Sequence, residues 1–395
     1  MTHWLIAGGG TAGCVLAARL TEDQHNHVTL VEAGPPRGPR SVSYLEDLAV
    51  PGALWAGLSA TDGEGGPRPY PQGRGLGGSS AVSGGVLSGA SEVDLADLPI
   101  PRRVVADDEL GVIDRALLAT CDDAAPALLS QSSSADAYLV AAMSRPNLDV
   151  ITDRVVATIR FAGRSANGVV TADGDAIAGD RVVCAAGAIH TPALLLRSGV
   201  ATAGVGVRLS DHVGRVVELT LRENDAGSAR SLVTGVVVRR GVIEVVAMNH
   251  LGPRRPGHAA LLVGLLANQR RGTVRLDAEN PGDPAGPPVV DFGQLGEADT
   301  VRLAAGVEMV HELLTTAPFT DVIADALVAD GFGGYAHATS TCAMGSVVDE
   351  HGAVAGYDDL FVADASVLPT TPPSGTYVPV LLLAERLARA WRRQL

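Results

Sequence analysis

Apolar and polar positions alternate in two distinct periods along the first thirty-four residues. HWLIAG is a short apolar run, CVLAARLTED repeats its apolar positions at helical spacing, and HVTLVEAG is a second apolar run with an acid near its end. GGGTAG separates the first run from the helix, so the pattern predicts strand, tight turn, helix, strand: a βαβ unit. Residues 35 to 72 are rich in Pro and Gly and are expected to form a long connection, and GRGLGGSSAVSGG (73–85) follows as a second glycine turn. Patterning is weak from about 92 to 130. It returns as a helix at ADAYLVAAMSRP, strands at LDVITD, VVATIRFA and DRVVCAAG, and a helix at AIHTPALLLRSG. From 213 to 300 alternating valines (VGRVVELTLRE, VVAMNHLG, GTVRLDAE) predict an antiparallel sheet. VRLAAGVEMVHELLTT predicts an amphipathic helix, and the last sixty residues return to strand, turn and helix after Pro379.

The glycine turn carries the first chemistry. Gly8, Gly10 and Gly13 fit G-x-G-x-x-G between a strand and a helix. Gly8 permits the sharp turn, Gly10 lets backbone approach a pyrophosphate, and Gly13 allows close helix–strand packing. The helix then offers free N–H groups, those of Thr11 and Ala12 among them, and the positive end of its dipole. Glu32 closes the second strand, where a carboxylate can accept both ribose hydroxyls and would repel a 2′-phosphate. The motif predicts a bound dinucleotide and leaves FAD or NAD open. The fold class is α/β (α+β overall). A Rossmann-like nucleotide domain is assembled from residues 1–212 and 336–395, with 92–135 a connection of uncertain place. An inserted domain with a mainly antiparallel sheet spans 213–335.

Composition narrows the setting. At 395 residues and 46 % hydrophobic, the chain can bury a large core, yet runs such as LLVGLL and VLLLAERLA are too short to span a bilayer. MTHWLIAGGG lacks a basic leader and a cleavage site. A net charge of −14 argues against nucleic acid or an anionic membrane as partner. Four scattered cysteines have no metal-type spacing and read as reduced structural thiols, and a soluble cytoplasmic protein is expected. No internal repeat is present. Lysine is absent, so arginine carries all the side-chain basic charge.

Four blocks resemble the glucose–methanol–choline (GMC) family of flavoprotein oxidoreductases. They are GGGTAG with VEAG; GRGLGGSSAVSGG; GAIHTPALLLRSGV (187–200); and HATSTCAMG (337–345) with DASVLP (364–369). SADAYL, RPNLDVITDRVVATI, LSDHVG and RRGTVRL are similar to family text in the family order. The resemblance implies FAD. It implies that Gly77, Gly78, Ser79 and Ser83 of the second glycine turn lie against the flavin. It further implies that Val156 offers its backbone to the adenine, that Asp364 and Ala365 contact the ribityl and pyrophosphate region, and that Gly375 and Thr376 lie beneath the ring. No His occurs within GRGLGGSSAVSGG, where some members attach flavin covalently, so a dissociable cofactor is expected.

Alcohol oxidation requires removal of the hydroxyl proton as hydride leaves the same carbon, and His337 stands at the His of the family's H-x-x-x-T-C-x-M-G block. His190, His212 and His351, in or beside family-like blocks, read as structural. Two departures stand out. The family's catalytic His has an Asn or His partner eleven residues after the block's aspartate, and counting from Asp364 lands on Gly375. The Asn that usually ends the first signature is Ser83 here. Tyr377, Thr376 or Ser374 could supply a hydroxyl in compensation, and Tyr377 reaches furthest. The chain is also short for the family, which predicts an open cavity or one completed by a partner. The resemblance implies an FAD-dependent alcohol dehydrogenase or oxidase acting on a small-molecule alcohol, or on a redox cofactor as in the mycofactocin-associated GMC dehydrogenases. Alternatives are a GMC-fold hydroxynitrile lyase and a flavin-binding relative with lost or altered catalysis. The substrate, electron acceptor and oligomeric state are not legible.

Overall fold

The computed structural model describes residues 1–36, 44–63, 66–222, 232–329, 331 and 333–393. Its organising feature is a five-stranded sheet, all neighbours parallel. The chain opens with β1 (Thr2–Ala7), α1 (Thr11–Leu20) and β2 (Asn26–Val31). Later come β3 (Leu148–Ile151), β4 (Arg181–Cys184) and helix α2 (Gly187–Arg197). With the strand Leu360–Val362 the spatial order is Leu360–Val362, β4, β1, β2, β3. Trp4, Leu5, Ile6 and Ala7 are all buried, the expected reading of a parallel strand covered on both faces.

Register decides where the site can be. Ala7 is aligned with Val31 and Cys184, Val31 with Ile151, and Cys184 with Val362. All five strands therefore end at one edge, and Gly8, Glu32, Ala185 and Asp364 leave it side by side. In open α/β sheets ligands gather at this edge.

The antiparallel layer is a second sheet. It contains β5 (Val213–Leu221), β6 (Val236–Arg240), β7 (Ile243–Met248) and β8 (His258–Leu265), with α3 (Glu297–Leu314) and then β9 (Ile323–Val328) following. The order is β9, β5, β8, β7, β6 and the short strand Ala125–Pro126, with Gly333–Gly334 paired to β5. In β5 the alternation is clear: Val217, Leu219 and Leu221 are buried while Glu218 and Thr220 are not. Gly306 lets α3 settle on this sheet, since a Cβ there would sit 2.9 Å from Val263 Cγ1.

GTVRLDAE does not join that sheet. Gly272–Arg275 pairs with Val207–Leu209 and Val289–Asp291, and the latter runs parallel to Ser59–Thr61. Alternation predicts a strand but not its neighbour. Residues 35 to 72 likewise contain short elements (Tyr44–Asp47, Ser59–Thr61, Arg68–Pro69) rather than connection alone.

The last helix, α4 (Tyr377–Arg393), begins two residues before Pro379 rather than after it. Proline costs little there, because the first N–H groups of a helix have no intrahelical acceptor. Trp391 of α4 stacks on Trp4 with ring centroids 5.1 Å apart, and Arg19 of α1 meets Glu385 at 2.8 Å. These contacts fix α4 against the parallel sheet and so fix the turn 369–376 at its amino end. Among the described residues no helix is long and apolar enough to cross a membrane. All four cysteines are buried and free.

Candidate active site

The glycines at the edge of the parallel sheet divide into two kinds. Gly8 has φ +112°, and a Cβ there would lie 2.6 Å from Ala185 O; one on Gly13 would lie 2.0 Å from Gly8 O. The chain itself demands those two glycines. Gly10 is different: its nearest neighbour would be Ala185 O at 3.8 Å, so nothing in the chain forbids a side chain. It caps α1 without a side-chain hydrogen bond, and the first turn contains no acid. A bare helix amino terminus behind an unforced glycine suits an anion approaching the backbone closely.

Glu32 is 6 % exposed and joins three glycine segments. Its Oε2 accepts the Gly9 N–H at 2.7 Å, and its Oε1 accepts those of Gly34 at 2.8 Å and Gly75 at 2.9 Å. A carboxylate has about four acceptor positions. Three being taken, Glu32 can serve one further donor, not the two hydroxyls expected from sequence. Gly77 (φ +93°) donates its N–H to Gly9 O at 2.8 Å, and Gly78 presses on Gly10, where its Cβ would be 2.9 Å from Cα. The two glycine turns thus form one wall.

A cavity of about 460 Å³ opens above this wall, within the usual range for small-molecule sites. Gly8, Gly10, Thr11, Ala12, Glu32 and Val156 line one end of it. Gly78, Ser79 and Ser83 line its side, and Asp364, Ala365, Gly375, Thr376, Tyr377 and His337 line the other end. Of the residues singled out in the sequence, Gly13 and Gly77 lie outside the lining, packed into the turn beneath, and so do Ser374, offered there as a hydroxyl in compensation, and His351. The wall opposite the parallel sheet comes from the antiparallel layer: Glu244, Val246, Leu262 and Leu266.

Asp364 is 3 % exposed and accepts three hydrogen bonds: Oδ2 from Gly187 N–H (2.9 Å) and the Thr191 hydroxyl (2.6 Å), and Oδ1 from Ser366 N–H (2.8 Å). Burial raises its pKa, opposed by these donors. It holds the start of α2 to the turn before α4. A second bond does the same work: Pro192 inside α2 cannot donate to Ala188 O, and the Thr341 hydroxyl donates to that carbonyl at 2.7 Å. Thr341 belongs to the block that begins at His337.

His337 is clamped at backbone and ring. Its N–H donates to Asp211 Oδ1 at 3.0 Å, and Asp211 Oδ2 accepts the Tyr70 hydroxyl at 2.8 Å. Ala336 (φ +57°) and Ser340 (φ +73°) bracket the segment with left-handed backbone, a strain that the surrounding bonds sustain. The ring Nδ1 lies 3.0 Å from Nδ1 of His212, whose Nε2 lies 2.8 Å from the Pro372 carbonyl. Burial pushes His337 down to about 3, with His212 adding to the effect, and burial pushes His212 down to about 4. Both imidazoles are neutral at ordinary pH. Tyr335 packs its ring on both, with centroids 5.3 Å and 5.6 Å away.

His212 is therefore at the site's centre and not the merely structural residue expected from its block. Its only local signal is the block LSDHVG; the contact spans 125 residues and is tertiary. Tyr377 is placed otherwise than anticipated: its hydroxyl donates to the Ser132 carbonyl at 3.3 Å. Gly375 offers no side chain, although a Cβ there would meet only Val86 O, at 3.7 Å. Buried His190 stacks on Trp55 at 3.9 Å, lines the same cavity, and has Nε2 buried without a hydrogen-bond partner.

The chain matches the family model described as GMC oxidoreductase in two parts, over residues 120–214 and 268–384, together more than half its length. It is 29 % identical to a GMC-type oxidoreductase of Rhodococcus erythropolis, covering 97 % of each chain. It is 27 % identical to 5-(hydroxymethyl)furfural oxidase of Methylovorus sp. strain MP688, covering 98 % of each. Both alignments, 482 and 525 positions, exceed the 395 residues here, so relatives carry insertions that this chain lacks. Among solved structures, pyridoxine 4-oxidase from Mesorbium loti superposes with a TM-score of 0.87 at 22 % identity, covering 100 % of this chain and 99 % of the other.

Proposed function

Because the chain belongs to the GMC oxidoreductase family, we propose that it binds FAD and oxidises a small-molecule alcohol, with His337 accepting the hydroxyl proton. The observation that supports this reading is the single cavity running from the bare α1 amino terminus and Gly10 to the neutral imidazole of His337. The residues fit the cofactor: Thr11 and Ala12 offer N–H groups for the pyrophosphate, Glu32 one acceptor for the ribose, and Val156 its backbone at the adenine end. Asp364 and Ala365, at the other end of the cavity, would hold the ribityl chain, and Thr376 before α4 would hold the ring. Bound FAD supplies the two-electron acceptor for the hydride.

The protein's own part is proton transfer and positioning. His337 is uncharged at neutral pH and needs no deprotonation before accepting a proton. The clamp of Asp211 on its backbone and of His212 on its ring fixes where that proton is received. Val246, Leu262 and Leu266 exclude water from the opposing wall and suit an apolar or aromatic alcohol, in line with the relative named for oxidation of 5-(hydroxymethyl)furfural. Localisation in the cytoplasm and a dissociable rather than covalent FAD complete the proposal.

The experiment is direct. Purified protein should be yellow with a flavin spectrum, release FAD on denaturation, and bleach anaerobically with a primary alcohol. Repeating the bleaching in air distinguishes an oxidase from a dehydrogenase. A yellow protein that no alcohol bleaches, or one that instead cleaves a cyanohydrin, overturns the alcohol-oxidation reading, and a colourless protein that takes up no FAD overturns the whole.

A further inference from the structure

The two imidazoles at the site determine each other's protons. The partner of His212 Nε2 is the Pro372 carbonyl, which can only accept, at 2.8 Å. His212 must therefore carry its proton on Nε2. A neutral imidazole has one N–H, so Nδ1 of His212 is a bare acceptor. That acceptor lies 3.0 Å from Nδ1 of His337, which must then be the donor. His337 is left with Nε2 unprotonated. The rings are nearly perpendicular, 82° between planes, and Tyr335 packs its ring against both.

We propose that His212 is a positioning residue that fixes His337 in its Nδ1–H tautomer and so presents Nε2 as the proton acceptor. This inference rests on the reading of His337 as the base. The relay Pro372 C=O, His212, His337 carries the function that a side chain at 375 would otherwise have to supply. An imidazole without such a partner favours the Nε2–H tautomer, which would aim a donor where an acceptor is required. The groups around His212 reinforce a neutral ring: Arg239 contributes a positive charge, and no carboxylate hydrogen-bonds the imidazole among the described residues.

The test uses the FAD-loaded protein, labelled with ¹⁵N-histidine, and three chains: wild type, His212→Phe and His212→Asn. Phenylalanine keeps the ring against Tyr335 and removes both hydrogen bonds, whereas the Asn Oδ1 can still accept from His337. In wild type the ¹⁵N shifts and two-bond couplings should assign Nδ1–H to His337 and Nε2–H to His212. In His212→Phe the His337 proton should move to Nε2, and anaerobic bleaching by 5-(hydroxymethyl)furfural should slow by at least ~10²-fold, the low end of general-base contributions, with FAD content unchanged. His212→Asn should keep the Nδ1–H tautomer and recover the rate to within about tenfold, since the hydrogen bond from His337 Nδ1 is retained. Wild-type His337 with its proton on Nε2 overturns the proposal, as does His212→Phe bleaching at the wild-type rate. A wild type that shows the expected tautomers but is bleached by no alcohol overturns the alcohol-oxidation reading and leaves the tautomer assignment standing.

Discussion

His190 offers a quantitative check on the electrostatics of the cavity floor. It is 8 % exposed, stacked on Trp55, with an unpartnered Nε2, and burial pushes it from 6.5 down to about 3, with the Arg197 charge adding to the effect. A depressed folded pKa means that the unfolded chain binds the proton first. The stability contribution is whole above pH 6.5 and is lost as pH falls toward 3. Between pH 7.5 and pH 5.5 only the unfolded form takes up the proton, which costs about 1.4 kcal/mol for one unit below 6.5, a tenfold rise in the unfolding constant.

His190→Phe isolates that term. The ring stack on Trp55 is retained, and a buried polar atom without a partner is replaced by carbon, so stability at pH 7.5 should be unchanged or higher. Urea unfolding of the FAD-free proteins at pH 7.5 and 5.5 measures the comparison. His212 and His337, pushed down to about 4 and 3, also lose stability on acidification, while Asp211, pushed up to about 6 by burial, works in the opposite direction. These terms are common to both proteins and cancel in the difference. The variant should lose about 1.4 kcal/mol less than wild type over the two pH units. Equal losses in the two proteins would refute a neutral, desolvated His190.

Four further outcomes follow from the glycines and the last turn. Gly8→Ala forces a left-handed φ and a 2.6 Å contact onto the chain, so it should destabilise the fold by at least ~1–3 kcal/mol; Gly10→Ala, with no contact under 3.8 Å, should melt near wild type yet bind FAD weakly in a fluorescence titration. Gly375→Asn should fold normally, its Cβ having open space to 3.7 Å, and, introduced into His212→Phe, should restore part of the bleaching rate. Tyr377→Phe should leave that rate within about twofold, because the hydroxyl it removes serves the Ser132 carbonyl; a loss of an order of magnitude would return Tyr377 to the chemistry.

The opening βαβ unit was legible because each of its signals is local: period two, a glycine turn, period 3.6, period two again. His337 was legible because it lies in a dense block, and Asp364 because it ends a strand. What escaped was tertiary. Glu32 promises two acceptors to a ribose when read alone, and only the fold shows Gly9, Gly34 and Gly75 taking three of its positions. The sheet that joins Gly272–Arg275 to Ser59–Thr61 is built from strands of two to four residues with no period to detect. Helix α4 begins before Pro379 because a proline in the first turn forfeits no hydrogen bond, which a reading of proline as a boundary misplaces. The histidine pair could not be found by spacing, since the proximity of His212 and His337 is created by Thr339 and Ser210 exchanging backbone bonds at 2.9 and 3.2 Å.

That exchange also explains how the chain tolerates a glycine at 375. The turn 369–376 contributes backbone instead of a side chain: the Pro372 carbonyl receives His212, and the Pro373 carbonyl receives the Arg239 guanidinium. Proline at both positions fixes φ, so the carbonyls are held without side-chain support. His212 and Arg239 both come from the antiparallel layer, one immediately before β5 and the other within β6, and Asp364 holds the turn's other end to α2 on the parallel layer. His337 is thus aligned by segments distant in sequence, none of which carries the partner expected at 375. A hydrogen-bonding position vacant in one element can be filled from another whenever the fold already presses the two together.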